Sequence, residues 1–345
     1  MIQLKRNEEV DIFQVELALK IKTKQSPFIS ILILAQEQEY VSAETLQRYL
    51  LKSLPLRACE NLLMRLEQQG YIVKSNPSHL YQLTELGERS AIDESFWIGE
   101  KGVYNVYISK SNLIQQKIIR TEKVERAESD KDNKVILTPG EIRKCEKQTL
   151  NINKTEVLFE DVEGNCFQLK PIKCILEIHA QGNETLLKLS KDNQLLFQSI
   201  LDLEENILQE ELLSSCNDFD YDEDKKAILS AFSKDNLSFI RKVKIARPFF
   251  MGYEFNSVEL ENVHYIPNNK RNAEPWLNEL LYRGIDRYFL DDNSFGEFAN
   301  DLAAPIKAHF NVAVPTRKDL VELFSERDDA FYQIAKLEII DSLNY

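Results

Sequence analysis

The chain has few of the residues and spacings on which catalytic roles are usually read. Its 345 residues contain no GxxxxGK[ST] and no GxGxxG segment, which closes both glycine-rich routes to nucleotide phosphates. Only four histidines occur, at 79, 179, 264 and 309. None stands four residues from another or beside a cysteine at zinc spacing, so a zinc centre or His-based triad has little support. The five cysteines (59, 145, 166, 174 and 216) are odd in number and form no CxxC pair. That argues for reduced thiols in a cytoplasm rather than a disulfide framework. The longest apolar stretch, Phe28 to Ala35, is far short of a membrane span, so no membrane partner is expected. The opening MIQLKRNEEVD turns acidic where a secretory signal would need its apolar stretch. Internal repeats and low-complexity tracts are also missing.

What is present describes an ordinary soluble globular α+β protein of two or three domains, 43% hydrophobic and 29% charged. The net charge of −13 is unevenly spread. Residues 1–93 hold 11 Lys and Arg against 12 Asp and Glu, leaving 32 against 44 beyond them. Gripping duplex DNA through its phosphates needs a positive face, although local patches matter more than totals.

Val15 to Ile21 alternates apolar and polar residues with the period of a half-buried strand. Ser26-Pro27 then opens a helix over FISILILAQ, with Ser as cap and Pro in the first turn. Ser42 caps a second short helix carrying Leu46, Tyr49 and Leu50. A third runs from about Pro55 to Gln69, with Ala58, Leu62, Leu63 and Leu66 inward and Gly70 ending it. The strand YIV, the loop KSNPSH and the strand LYQL follow. Leu66-Glu-Gln-Gln-Gly70-Tyr71-Ile72, followed by Leu83-Thr84-Glu-Leu-Gly87, resembles the MarR/PadR-like winged-helix families across residues 26–93.

That resemblance implies that the third helix is a recognition helix for the major groove of duplex DNA. Its exposed positions would be Arg57, Glu60, Asn61, Met64 and Arg65, and the wing would offer Lys74, Ser75, Asn76 and His79. The candidate nucleic-acid-binding residues are therefore Arg57, Asn61, Arg65, Lys74, Asn76 and His79. Arginine reaches guanine or phosphate and asparagine reaches adenine, whereas Glu60 repels the backbone. The simpler alternative is a solvated face, with a protein partner docking elsewhere on the module.

Beyond residue 94 the pattern turns to strands. Residues 94–134 read as a strand pair (102–109 and 116–124) and a charged linker, ERAESDKDNK. Residues 135–267 read as an antiparallel β-rich domain with turns at Glu163-Gly164-Asn165, Gly182-Asn183 and Asp192-Asn193, and a helical insertion over 204–232. Residues 268–345 read as helical. Asn272 caps one helix, a capping box spans Ser294 to Glu297, and a last helix runs from Thr316 past Leu337.

Three segments invite chemistry. DFDYDED (218–224) offers alternate aspartates for calcium, but Glu223 and Leu229 stand where an EF-hand needs Gly and Glu, so a solvated acidic loop is expected. Asp161 with Gln168-Leu169-Lys170 resembles the acid and (E/Q)xK segments of restriction-like nucleases, in which carboxylates hold Mg²⁺ and lysine positions the attacking water. RKVKIAR (241–247), with Lys270-Arg271, is a basic cluster expected to neutralise neighbouring carboxylates. No cofactor and no metal are assigned. The expected function is non-catalytic and nucleic-acid-associated, as an accessory subunit of a larger bacterial complex such as one in antiviral defence. A pure protein–protein scaffold and a metal-dependent nuclease are the alternatives.

Overall fold

The computed structural model describes residues 1–75, 79–125, 134–152, 154–289 and 291–338. They form two compact units whose boundaries fall within strands. One comprises residues 7–174 and 189–198, and the other residues 1–6, 175–188 and 199–345.

The chain opens on strand β1 (Ile2–Thr23), 22 residues long. Three helices follow: α1 (Pro27–Gln38), α2 (Ala43–Tyr49) and α3 (Leu56–Gln68). The hairpin β2 (Ile72–Ser75) and β3 (Leu80–Leu83), helix α4 (Glu85–Ile92) and strand β4 (Phe96–Ser109) come next. β4 runs back along β1 in continuous register from Thr23↔Phe96 to Val10↔Ser109. Residues 24–95 are thus an excursion from the tip of a long hairpin. This overturns the expected MarR/PadR-like winged helix at the N-terminus, because the chain begins in a sheet rather than with helices.

The residues that carried the resemblance have a packing cause instead. Thr84 caps α4 by accepting from the Gly87 amide at 3.2 Å, and its hydroxyl also lies 2.6 Å from the Gly70 carbonyl oxygen. A Cβ on Gly87 would fall 2.1 Å from the Tyr71 carbonyl oxygen, so only glycine fits there. Tyr71 in turn stacks on Phe96, with ring centroids 4.4 Å apart, which links the hairpin to the start of β4. Ser26 and Ser42 cap α1 and α2 as the sequence predicts.

In the same unit β4 also pairs with β5 (Ile118–Val124). Strand β6 (Lys134–Leu137), the turn of helix α5 (Gly140–Arg143), β7 (Thr149–Ile152) and β8 (Thr155–Gln168) also belong to it. β8 pairs with β1 on one edge and with β6 and β7 on the other. Register shifts between Val15 and Leu17 and between Ala18 and Leu19 mark bulges, which bend and twist the strand pair. The sheet curls until β5 approaches β7, where Gln116 Nε2 donates to Ile118 O at 2.7 Å and Asn151 O at 2.9 Å. Val15, Leu17, Leu19, Val106, Phe159 and Ile142 fill its interior. The expected turn at Gly164 does not form. Its carbonyl accepts from the Thr138 amide at 3.1 Å and from Arg143 at 2.7 Å, which holds β8 extended.

Gly182, at φ 59°, turns β9 (Ile172–Gln181) into β10 (Glu184–Lys191), and Asp192-Asn193, both left-handed, turn β10 into β11 (Gln194–Leu201), as expected. Helix α6 (Glu205–Ser214) ends well before residue 232. The rest of that segment forms β12 (Tyr221–Asp222) and β13 (Ala227–Ser230), because Ala227 and Ile228 bury in the sheet. Strand β14 (Ile240–Ile245), the hairpin β15 (Phe249–Phe250) and β16 (Tyr253–Glu254), and β17 (Val258–Pro267) follow. The sheet order is β12-β13-β17-β14, with β13 parallel to β17 and β14 antiparallel to it.

The remainder is helical: α7 (Lys270–Gly284), α8 (Asp292–Lys307), α9 (Arg317–Ser325) and α10 (Phe331–Glu338). The cap of α7 is Asn269 rather than Asn272, and the capping box of α8 joins Asp291 to Ser294. Trp276, Leu281, Phe295, Ile306 and Phe324 form the core of these helices. The buried Glu279 carboxylate receives Arg283 at 3.1 Å and Arg327 at 2.7 Å, and Arg327 also lies 3.6 Å from the Tyr282 ring centroid.

Two substitutions test these packing arguments in chemical denaturation. Gly87→Ala should cost about 3 kcal/mol, since the clash is with backbone, and an unchanged midpoint would refute the close approach. Glu279→Ala should cost about 3 kcal/mol by leaving Arg327 without its buried counter-charge.

Candidate nucleic-acid interface

Helix α3 places Arg57, Asn61 and Arg65 four residues apart, on one stripe about 12 Å long at 1.5 Å per residue. The stripe faces outward because Cys59, Leu63 and Leu66 turn the other face into the core. All three side chains are exposed, and neither arginine is ion-paired among the described residues. Glu60 and Met64 are exposed on the same helix, so the stripe alternates sign rather than forming a uniform positive face.

Lys74 leaves β2 with its ammonium 6.0 Å from the Tyr81 ring centroid. Burial raises the Tyr81 phenol above its ordinary value, and the fields of Glu67 and Glu60 add to the shift. The same two carboxylates therefore act on the hairpin as well as on the helix. His79 is exposed at the start of β3. The nearby Glu44 carboxyl titrates below its usual range, chiefly through a hydrogen bond from Ser42, with its own backbone amide and His79 contributing. Asn76 lies outside the described residues.

A feature that sequence reading missed lies at the base of the excursion. Lys22, Lys24, Gln25, Asp93, Asn151 and Lys154, with neighbouring hydroxyls, line a polar cleft of about 640 Å³. Lys22 is neutralised by Glu156 at 3.1 Å and Asp93 at 3.6 Å, while Lys24 and Lys154 have no ion pair among the described residues. The run Lys20-Ile-Lys-Thr-Lys24 was its one visible signal. The cleft's other wall comes from residues far along the chain.

Three of the four cations in the basic cluster at 241–247 behave differently. Lys242 meets Glu261 at 2.5 Å and Glu259 at 3.4 Å, and Arg247 lies 3.6 Å from Glu254. Arg241 stacks over Tyr265 at 4.3 Å and donates to the Ser238 carbonyl. Burial pulls its guanidinium below the ordinary value.

The nuclease-like segments are not brought together. Asp161 and Gln168 sit seven residues apart on the continuous strand β8, roughly 20 Å at about 3.3 Å per residue, and Lys170 lies beyond. Asp222 of the acidic loop is held by Lys225, which keeps its carboxyl below the usual range. Among the described residues no group of three His, Cys, Asp or Glu side chains could hold a metal ion. His179 is half-buried between Gln3 at 3.3 Å and Glu177 at 3.1 Å, whereas His264 and His309 are exposed. No helix among the described residues is long and apolar enough to cross a membrane.

Comparison with protein-family models, with curated proteins and with solved structures gives no match for this chain. The MarR/PadR-like assignment therefore has no relative behind it, and any function must be argued from the side chains themselves.

Asp161→Asn and Lys170→Ala should each leave plasmid DNA as intact with Mg²⁺ as the unsubstituted protein does. Mg²⁺-dependent nicking lost in either variant would place a metal centre on β8.

Proposed function

We propose that this is a non-catalytic nucleic-acid-associated protein whose contact surface is the outer stripe of α3 together with the β2–β3 hairpin. The observation that carries the reading is that Arg57 and Arg65 are exposed on one helix face and have no ion pair among the described residues, while Arg241, Lys242 and Arg247 of RKVKIAR are held by neighbours. Unpaired guanidiniums bind phosphate oxygens without first breaking an internal ion pair. Arg57, Arg65 and Lys74 supply about three phosphate contacts, and Asn61 between the arginines is an amide suited to a base edge. Glu60 keeps the set from being strongly attractive, so the binding is modest in affinity and weak in sequence preference.

The accessory-subunit part of the reading follows from the same economy: three phosphate contacts are few for a protein that acts on DNA alone. The five unbridged thiols support a reducing, cytoplasmic setting. A pure scaffold role is the second reading. It is favoured by an apolar cavity of about 340 Å³ in the excursion, lined by Phe28, Ile31, Leu50, Leu51, Leu54 and Leu62.

Fluorescence anisotropy with a labelled duplex across a salt series separates the two. Three contacts give a slope of log K against log salt of about −2.7. Arg57→Ala/Arg65→Ala should flatten it by about 1.8 and weaken binding at low salt at least tenfold. Absent binding, or a slope unchanged by the double substitution, overturns the nucleic-acid reading and leaves the scaffold.

A further inference from the structure

Between helix α6 and the β15–β16 hairpin runs a groove of about 540 Å³, in the unit that holds the C-terminal helices. Its apolar surface is unusually open: Ile207 is 45% exposed, Phe249 52% and Met251 65%. The hairpin that presents Phe249 and Met251 is held in place. Met251 and Gly252 both take left-handed backbone angles at its tip, and the Ser215 hydroxyl donates to the Phe249 carbonyl at 3.0 Å. The groove's charged lining is acidic throughout, from Glu210, Glu211 and Glu223, and none of its lining residues is basic. Lys226, an exposed side chain that does not line the groove, meets Glu210 at 2.6 Å. Burial raises the Tyr221 phenol on the groove wall, and the fields of Glu210, Glu223 and Asp222 raise it further.

Apolar floor and acidic rim select one kind of occupant. The three carboxylates repel a nucleic acid or an acidic segment, and a purely apolar ligand leaves Glu211 and Glu223 without counter-charge. We infer that this groove docks an amphipathic, cationic segment of a partner protein. Two or three large apolar side chains of that segment would cover Ile207, Phe249 and Met251, with flanking lysine or arginine meeting Glu211 and Glu223. This is the helix-in-groove mode of recognition, in which apolar anchors supply affinity and rim charges supply orientation and salt dependence. The site is separate from the α3 stripe and does not depend on DNA binding.

The test uses the full chain and two labelled helical peptides of about 15 residues, with identical leucine and phenylalanine anchors. One carries flanking lysines and the other flanking glutamates. The lysine peptide should bind at least tenfold more tightly, with the difference shrinking at high salt. Phe249→Asp/Met251→Asp should weaken it at least tenfold, and so should Glu211→Lys/Glu223→Lys. All four positions lie at the surface, so circular dichroism should show the fold retained, and duplex binding should be unchanged. Equal affinity for the two peptides, or variants that bind as the unsubstituted protein does, overturns the inference. So does a concentration-dependent dimer that Phe249→Asp dissociates, which would give the groove to a second copy of the chain.

Discussion

Strand β1 is the constraint on which the curled sheet depends. It is paired along both edges, with β4 on one side and β8 on the other, and its alternate side chains Val15, Leu17 and Leu19 form the middle of the sheet's core. The partners lie far apart in sequence: Phe13 pairs with Val106 and also with Gln168. Loop-closure entropy rises only slowly with length, so a burial-rich strand can collect such distant neighbours at modest extra cost. The bulges opposite β8 then set the curl, and the curl brings β5 to β7.

Part of the short-range chemistry was readable in advance, although the caps of α7 and α8 fall three residues before the positions expected. Ser26, Ser42 and Thr316 cap helices, and Gly182 and Asp192-Asn193 turn strands, because each acts within three or four residues of itself. Features decided by distant partners were not readable. The polar stretch Gln3 to Asp11 gives no strand signal, yet it is extended because of what it pairs with. Gly164 looked like a turn and is held straight by Thr138 and Arg143. The resemblance around Leu83-Thr84 and Gly87 did not hold: the chain begins in a long strand, and local packing accounts for those residues. Of the candidate contact residues, the outward placement of Arg57, Asn61 and Arg65 followed from helical spacing. The lysine cleft could not, since its walls come from residues 22–25, from 93 and 95, and from 151 and 154–156.

Charge is partitioned by pairing more than by total. The acidic part of the chain contains many cations, but the conspicuous ones are engaged: Lys242 with two glutamates, Arg241 with aromatic faces, and Arg327 with Glu279 and Tyr282. On and below the excursion, Arg57, Arg65, Lys24 and Lys154 have no ion pair among the described residues. A net charge near zero for residues 1–93 thus conceals a local supply of available positive groups.

The excursion has a further consequence. Thr23 and Phe96 are direct cross-strand neighbours, so residues 24–95 leave the sheet and re-enter it at a single point, with their ends about 5 Å apart. A segment anchored in that way is a natural cassette. It can be exchanged, lengthened or replaced by a tight turn with little disturbance to the strands that carry it. Selection is thereby free to change what this tip recognises while keeping the sheet beneath it.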